Sequence, residues 1–239
     1  MSDRPYSPIG RAQAMKLAAS VIRPSHEYPH KQAVKACRNA MLAARRPDLF
    51  DDDMQQQRLA PLCEMLEGRT VAIVGNAASL LEGEAGAEID QHDAVIRFNW
   101  GFIEQARSQG TKTSVHCLAS NVPRDRIAAA WPSAEILFVS PLRFFLDPAL
   151  RQTSMILPIR RWSRLLGMLG DNRPSAGLMT LDLLRDFRPR RLAVYGFDWK
   201  QSRTFYHKKS QTDWHGWNEE RELVRHWMET DSRIVLHSS

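Results

Sequence analysis

The fold is decided by residues 69–99, which read RTVAIVGNAASLLEGEAGAEIDQHDAVIRFN. Thr70–Val74 is a continuous apolar and β-branched run, the pattern of a strand that is buried on both faces. Gly75 follows this run directly and supplies an abrupt turn. After an acidic, glycine-bearing segment, Ala94–Phe98 forms a second apolar strand pattern that includes Arg97. The stretch therefore predicts two neighbouring strands of one parallel sheet.

Polar side chains stand where these two strands end. Asn76 follows Gly75, and small residues continue to Ser79, so the chain enters a loop or helix start whose backbone N–H groups can hold an anion. Arg97 and Asn99 stand at the end of the second strand. Parallel strands end at the same edge of their sheet, and open α/β folds bind nucleotides at that edge. We therefore expect a nucleotide site there, with Arg97 and Asn99 beside it.

Strands and helices alternate along the rest of the chain. Short apolar runs predict further strands at residues 112–118, 136–139 and 192–195, with helical patterns between them. The segment 142–170 mixes apolar residues with arginines and is predicted to be an interrupted helix. This alternation favours one α/β domain at residues 67–239, a Rossmann-like three-layer sandwich with a mainly parallel sheet.

Residues 1–66 are predicted to form a helical N-terminal extension. An irregular arm precedes a helix at residues 30–46, and a second helix is expected at residues 54–66. The acidic run Asp51–Asp53 stands before the second helix, where acids favour a helix N-terminus. Metal binding by its Asp-x-Asp pattern is the less favoured alternative.

Composition narrows the class of protein. The 239 residues carry a net charge of +6, and 43% of them are hydrophobic. The three cysteines are widely spaced and odd in number, which favours buried free thiols over a disulfide framework or a zinc site. Neither a membrane span nor a signal-peptide core is recognisable. We expect a cytoplasmic protein, with peripheral contact to the inner membrane face left open.

The positive charge is concentrated in residues 141–191, which contain ten arginines, four acids and no lysine. Arginine suits forked contacts to phosphate or carboxylate, so this segment favours an anionic ligand. A solvated basic face explains the same pattern equally well. An arginine-rich nucleic-acid-binding module, from Arg143 to Arg191, is a third interpretation.

Two further segments carry candidate chemistry. Pro174, Ser175 and Gly177 open a predicted helix whose first turn can present N–H groups and a hydroxyl to a carboxylate or phosphate. Aromatic residues alternate with histidines from Tyr206 to Trp217. Within that segment His215 is a candidate general base, since an imidazole can take a proton from a sugar hydroxyl near neutral pH. A packed structural histidine is the alternative.

Together these stretches resemble glycosyltransferase family 29, the sialyltransferase family, from about residue 69 to the C-terminus. The family's long motif is similar to residues 71–99, and its short motif to PSAGLMTLDLLRDF at 174–187 followed by LAVYGFD at 192–198. Its very short motif, a histidine with a glutamate five positions later, is matched by His215 and Glu220. Ordered similarity at three separate places is much more specific than any one of them.

The resemblance implies a single Rossmann-like domain, a variant of the GT-A type. It implies transfer of an acidic sugar, sialic acid or Kdo, from a CMP-activated donor to a glycan or glycolipid hydroxyl. The transfer would invert the anomeric centre and need neither metal nor cofactor, and the protein would be a soluble member of bacterial type. Nucleic acid is not an expected partner.

The resemblance also implies roles for individual residues. His215 would be the general base, with Glu220 supporting it. His207, in a less closely matching third motif, would hydrogen-bond the departing phosphate. The donor would be held by residues of the long and short motifs, namely Gly75, Asn76, Ser79, Asn99, Ser175, Ala176 and Gly177.

One rival prediction is a nucleotide-dependent oxidoreductase of the NAD type, because VAIVGNAAS follows a strand as a cofactor loop does. The loop lacks the Gly-x-Gly-x-x-Gly pattern: Asn76, Ala77 and Ala78 stand where glycine would allow close approach of the pyrophosphate. The transferase is therefore the favoured hypothesis. The sequence identifies neither the acceptor nor the linkage.

Overall fold

The computed structural model describes residues 47–206 and 215–237. Seven strands lie in these ranges: β1 (Thr70–Val74), β2 (Ala94–Phe98), β3 (Val115–Leu118), β4 (Glu135–Phe138), β5 (Met155–Ile156), β6 (Arg191–Tyr195) and β7 (Ile234–Leu236). They form one sheet in the order β5-β4-β3-β2-β1-β6-β7, and each neighbouring pair is parallel. The predicted α/β class with a parallel sheet is confirmed.

Eight α-helices connect or flank the strands in the described ranges: α1 (Asp52–Arg58), α2 (Ala60–Leu66), α3 (Gly86–Gln91), α4 (Ala106–Gln109), α5 (Arg124–Ala130), α6 (Ile159–Met168), α7 (Ala176–Asp186) and α8 (Trp217–Thr230). Short 3-10 turns complete the path at Pro47–Phe50, Ala78–Glu82, Arg143–Phe145 and Pro148–Leu150. No described helix is long and apolar enough to cross a bilayer.

The sheet is covered on both faces, which makes the fold a three-layer sandwich. Alternate residues of β1 point to opposite faces, as strand geometry requires. Val71 and Ile73 belong to the larger core, which also contains side chains of α2, α6, α7 and α8. Ala72 and Val74 pack on the other face with Leu80 and with Ile89 of α3. This double burial explains why β1 is continuously apolar, and β2 is apolar apart from Arg97, rather than alternating.

The described part of the predicted N-terminal extension packs onto this sandwich. Leu59, Leu62 and Leu66 are buried in the larger core. The Asp51 carboxylate accepts hydrogen bonds from two backbone N–H groups of α1, and Asp52 accepts from the N–H of Ile159 at the start of α6. Asp51 therefore caps the helix that follows it, as predicted, and Asp52 bonds to the start of a second helix, which was not predicted. The boundary at residue 67 stays a prediction.

Helix predictions were least accurate near prolines. The helix expected at 54–66 is divided at Leu59 into α1 and α2, with Pro61 in the first turn of α2. Only α6 is an α-helix in the segment 142–170, which also contains β5 and two 3-10 turns. The strands β5 and β7 were missed because two or three residues give no measurable periodicity. The helix predicted at 30–46 lies outside the described residues.

Several arginines of the arginine-rich segment form contacts within the fold. Arg143 is buried and donates hydrogen bonds to the carbonyl oxygens of Leu49, Ser140 and Leu157. Other arginines of this segment pair with carboxylates, and these are Arg160 with Asp53, Arg161 and Arg164 with Asp182, and Arg185 with Asp231. These pairings argue against a continuous basic face for nucleic acid.

Candidate active site

A cleft of about 240 Å³ opens at the carboxyl ends of β1, β2 and β6. The chain builds the sheet outward from β1 to β5 and then returns to the other side of β1 with β6. Such a reversal of strand order is where open α/β sheets bind ligands. The described residues that line the cleft are Gly75, Asn76, Ala77, Phe98, Asn99, Ser175, Ala176, Gly177, Gly196, Phe197, Asp198, Trp199, Lys200, Ser202, Thr204, Tyr206, His215, Trp217 and Glu220.

The turn after β1 is held tightly against the end of β6. A Cβ atom at Gly75 would lie 2.3 Å from the carbonyl oxygen of Gly196, so the site tolerates no side chain. The amide nitrogen of Asn76 donates to the carbonyl oxygen of Phe98 at 3.0 Å. The backbone carbonyl of Asn76 accepts from the N–H of Phe205 at 3.0 Å. Strand ends that are distant in sequence are thereby fixed around one side of the cleft.

Asn99 adopts a left-handed backbone conformation, with φ of 52°. Its side-chain oxygen accepts hydrogen bonds from the N–H of Ala119 at 2.7 Å and from the N–H and hydroxyl of Ser120 at 3.1 Å. Because three donors already occupy this oxygen, the amide nitrogen is the part of the side chain that can serve a ligand. A hydrogen-bond donor of this kind suits phosphate or ribose oxygens.

His116 on β3 supports Asn99 from within the protein. Its Nε2 lies 2.7 Å from the backbone carbonyl oxygen of Asn99, which can only accept, so Nε2 carries the proton. The ring is buried, packs edge-on against Trp131, and has an Nδ1 with no hydrogen-bond partner among the described residues. Burial lowers the pKa of His116 to about 4, and the hydrogen bond to Asn99 opposes that shift. His116 is therefore a neutral structural imidazole.

Ser175 and Glu220 form a pair at the start of α7. The Glu220 carboxylate is buried and accepts from the N–H and the hydroxyl of Ser175, both at 2.6 Å. The hydroxyl oxygen in turn accepts from the N–H of Leu178 at 3.1 Å and so caps the helix. The N–H groups of Ala176 and Gly177 belong to the first helical turn, which has no intrahelical acceptor for them. Glu220 thus positions a helix N-terminus at the cleft.

His215 lies beside this pair. Its Nδ1 is 2.7 Å from the carbonyl oxygen of Arg173, so Nδ1 carries the proton and Nε2 is the basic nitrogen. The nearer Glu220 oxygen is 3.9 Å from the same Nδ1. The indole ring of Trp217 lies 4.8 Å from the imidazole, between centroids. Backbone, carboxylate and indole together fix the imidazole in one tautomer and one orientation.

Two predicted positions are not in the lining. Ser79 donates through its hydroxyl to Asp198 at 3.5 Å, because the 3-10 turn at Ala78–Glu82 directs it there. His207 lies outside the described residues. The expectation that Arg97 stands beside the nucleotide site is wrong. Its buried guanidinium donates to the carbonyl oxygens of Gln109 and Lys112, and burial lowers its pKa to about 10.

Sequence reasoning missed the cleft residues in the loop after β6, among them Phe197, Lys200 and Thr204. Phe197 inserts its ring between the turn after β1 and the start of α7, since Cβ atoms at Gly75 and Gly177 would lie 2.7 Å and 2.3 Å from ring carbons. Lys200 and Thr204 are hydrogen-bonded to each other through their side chains. The tight turn signal at Gly196 was visible, but no local pattern shows which side chains a long loop sends into a cleft.

Solved structures of sialyltransferases share this fold. A mammalian sialyltransferase matches with a TM-score of 0.56 at 16% identity, and the match covers 98% of this chain and 81% of that one. The mammalian sialyltransferase in complex with Gal-beta-1-3GalNAc-ortho-nitrophenol matches with a TM-score of 0.53 at 14% identity over 98% and 81% of the two chains. The sialyltransferase CstII of Campylobacter jejuni, in complex with CMP, gives 0.51 at 13% identity over 70% and 80%. The fold is that of this class of glycosyltransferase.

The sequence is similar to one family of this class over part of the chain. The model of glycosyltransferase family 29 (sialyltransferase) matches residues 30–145, a range that contains the long motif and ends before Ser175 and His215. Over that range, which is just under half of its length, the chain is similar to glycosyltransferase family 29.

Proposed function

We propose that this protein transfers an acidic sugar, sialic acid or Kdo, from a CMP-activated donor to a hydroxyl group of a glycan. The observation that carries the proposal is the placement of His215. Its imidazole, with Nε2 as the basic nitrogen, lines the same cleft as the Asn99 amide and the first turn of α7. A base and a set of N–H donors are what a displacement with an anionic leaving group needs.

The proposed reaction follows from these positions. The Asn99 amide, the turn at Gly75 and Asn76 and the N–H groups of α7 bind the donor. His215 Nε2 takes the proton of the acceptor hydroxyl, whose oxygen forms the new bond to the anomeric carbon. The bond between that carbon and the phosphate oxygen breaks, and CMP leaves from the opposite face, which inverts the centre. No metal or cofactor takes part in this scheme, and His207 is assigned to the leaving phosphate by the family motif alone.

The similar structures support this choice of substrates. The ligands in these structures are CMP for the bacterial sialyltransferase and a galactose-containing acceptor analogue for the mammalian one. Within the described residues, no three His, Cys, Asp or Glu side chains are grouped as a metal site. A nucleotide and a sugar hydroxyl are accordingly the substrates assigned to the cleft.

Calorimetric binding of CMP, UMP, ADP and NAD, at low and high salt, tests the donor class. We expect a measurable heat of binding with CMP alone, and we expect the affinity for CMP to change little with salt concentration. Turnover of CMP-sialic acid and CMP-Kdo with a panel of galactosides then identifies the sugar. Heat with NAD in place of CMP would contradict the proposal.

His215→Ala tests the base. We expect turnover to fall by about 10²-fold or more while CMP binds as in the wild type, because the base contacts the acceptor rather than the nucleotide. His226→Ala is the matched control, since His226 is an exposed histidine of α8. Equal turnover of the two variants would rule out His215 as the base.

A further inference from the structure

The charges in the cleft are few and unevenly placed. Among the described lining residues, Asp198 and Glu220 are acidic and Lys200 is the only lysine or arginine. Both carboxylates are occupied by hydrogen bonds from the protein: Glu220 by Ser175, and Asp198 by the N–H groups of Lys200 and Ser202. Among the described lining residues, the Lys200 ammonium is therefore the positively charged group of a lysine or arginine that can contact an anionic ligand.

Lys200 is anchored beside the turn that follows β1. Its Nζ donates to the hydroxyl of Thr204. Thr204 pairs with Ala77 in an antiparallel bridge. The neighbouring Phe205 and Ala78 extend this pairing, because the N–H of Phe205 donates to Asn76 and the N–H of Ala78 to Arg203. The ammonium group is thereby tied to the turn at Gly75 and Asn76, which is the turn suited to holding an anion.

The same ammonium also faces the side of the cleft that holds the candidate base. Lys200 Nζ lies 5.8 Å from the centroid of the Trp217 ring, within range of a cation–π contact. Trp217 in turn packs against His215. Lys200 is therefore connected to the anion-holding turn through Thr204 and to the base through Trp217.

The backbone around Lys200 is strained. Trp199 and Lys200 have φ of 49° and 64°, the left-handed conformation that side chains disfavour. Asp198 holds this conformation by accepting from the N–H groups of Lys200 at 3.0 Å and Ser202 at 2.7 Å. Strain of this kind persists where the surrounding structure enforces it, and it is concentrated at ligand sites.

We propose that Lys200 is a specificity-determining residue that binds the phosphate of the CMP-activated donor. This inference rests on the proposed function. An ammonium has three hydrogen atoms, of which Thr204 takes one, so two are available to phosphate oxygens. The contact would favour nucleotides over nucleosides and would stabilise the negative charge that develops on CMP as it leaves.

The test compares the affinities of CMP and cytidine in wild type, Lys200→Met and Lys200→Arg. Arg203→Met is the matched control, because it removes one positive charge from an exposed position of the same loop. We expect Lys200→Met to weaken CMP binding about 10–100-fold, the effect of one hydrogen bond to a charged group, and to leave cytidine binding unchanged. Lys200→Arg should retain part of the preference for CMP, and Arg203→Met nearly all of it.

Three outcomes would count against the inference. Equal loss of CMP and cytidine affinity in Lys200→Met would make Lys200 a structural residue, and unchanged CMP affinity would remove it from the phosphate site. Both results leave the proposed function intact if the wild type binds CMP. Failure of the wild type to bind either compound would instead overturn the proposed function, and this inference with it. Thermal unfolding of each variant establishes that the fold is retained.

Discussion

The two walls of the cleft are built by different means. The strand-end wall consists of Gly75, Asn76 and Asn99, and the helix-start wall of Ser175, His215 and Glu220. In the strand-end wall, side-chain amides bond to the backbone of neighbouring strands, as when Asn76 donates to Phe98 and Asn99 accepts from Ala119. In the helix-start wall, one carboxylate from α8 holds the N-terminus of α7.

The difference has consequences for stability. The strand-end wall depends on the register of a parallel sheet, in which many hydrogen bonds fix each strand. The helix-start wall depends on Glu220, whose two contacts join residues 45 positions apart in the chain. A single substitution should therefore damage the second wall far more than the first.

Glu220→Ala is the most direct way to break the helix-start wall. The partly buried N–H and hydroxyl of Ser175 would lose their acceptor, so we expect a loss of about 3 kcal/mol in the free energy of unfolding. Transfer activity should fall as well, since the first turn of α7 and His215 lose their support. Chemical denaturation measures the stability. Glu219→Ala, at the exposed neighbouring position, is the control, and equal stability of the two variants would contradict this account.

His116→Gln examines the support of the strand-end wall through pH. The folded protein holds the pKa of His116 near 4, against 6.5 for the ordinary side chain. Between these values the unfolded chain binds the proton and the native state does not, so stability falls as pH falls. From pH 7.5 to pH 5, the wild type should lose about 2 kcal/mol more than His116→Gln, which has no imidazole to titrate.

Unfolding curves at the two pH values measure this difference. His226→Gln controls for the loss of a histidine as such, because its imidazole is exposed on α8. If the wild type and His116→Gln lose equal stability on acidification, the imidazole is not held neutral by burial. The strand-end wall would then be independent of pH.

The strand-end wall is also the part that the sequence predicts well. Apolar runs ending at Gly75 and Asn99 fix both the strands and the edge where they end. Even there the prediction for Arg97 was wrong. Residues of β2 alternate between the two faces of the sheet, and Ile96 and Phe98 lie in the larger core, so Arg97 points to the opposite face. Because both faces of β2 are buried, its sequence does not indicate which side chains lie near the ligand.

The helix-start wall could be predicted only in part. The N-cap at Ser175 follows from local sequence, because a serine before an apolar helix favours that role. The family resemblance implied a supporting role for Glu220 near His215, but the contact between Glu220 and Ser175 was not predicted, since nothing near either residue indicates the other. Lys200 was missed for a related reason: its position depends on a loop conformation with two unfavourable φ angles.

Phe197 lies between the two walls, and Gly177→Ala tests whether it is wedged there. A Cβ atom at Gly177 would lie 2.3 Å and 2.6 Å from two Phe197 ring carbons, so the ring must shift against Phe98 and Gly75. We expect a loss of about 1–2 kcal/mol in the free energy of unfolding. Gly167→Ala in α6, where nothing lies within 4 Å of the new atom, should instead gain about 0.5–1 kcal/mol.

Both changes add one methyl group to a helix glycine, and the expected changes in the free energy of unfolding have opposite signs. The pair therefore separates the effect of the Phe197 contact from the general effect of replacing glycine by alanine. Thermal or chemical unfolding of the two variants measures them side by side. A partial return of stability in the double variant Gly177→Ala with Phe197→Leu would assign the loss to the ring. If Gly177→Ala instead gains stability like Gly167→Ala, Phe197 moves freely between the walls. Each wall would then be held only by its own contacts, and the glycines at 75 and 177 would have to be explained by the ligand.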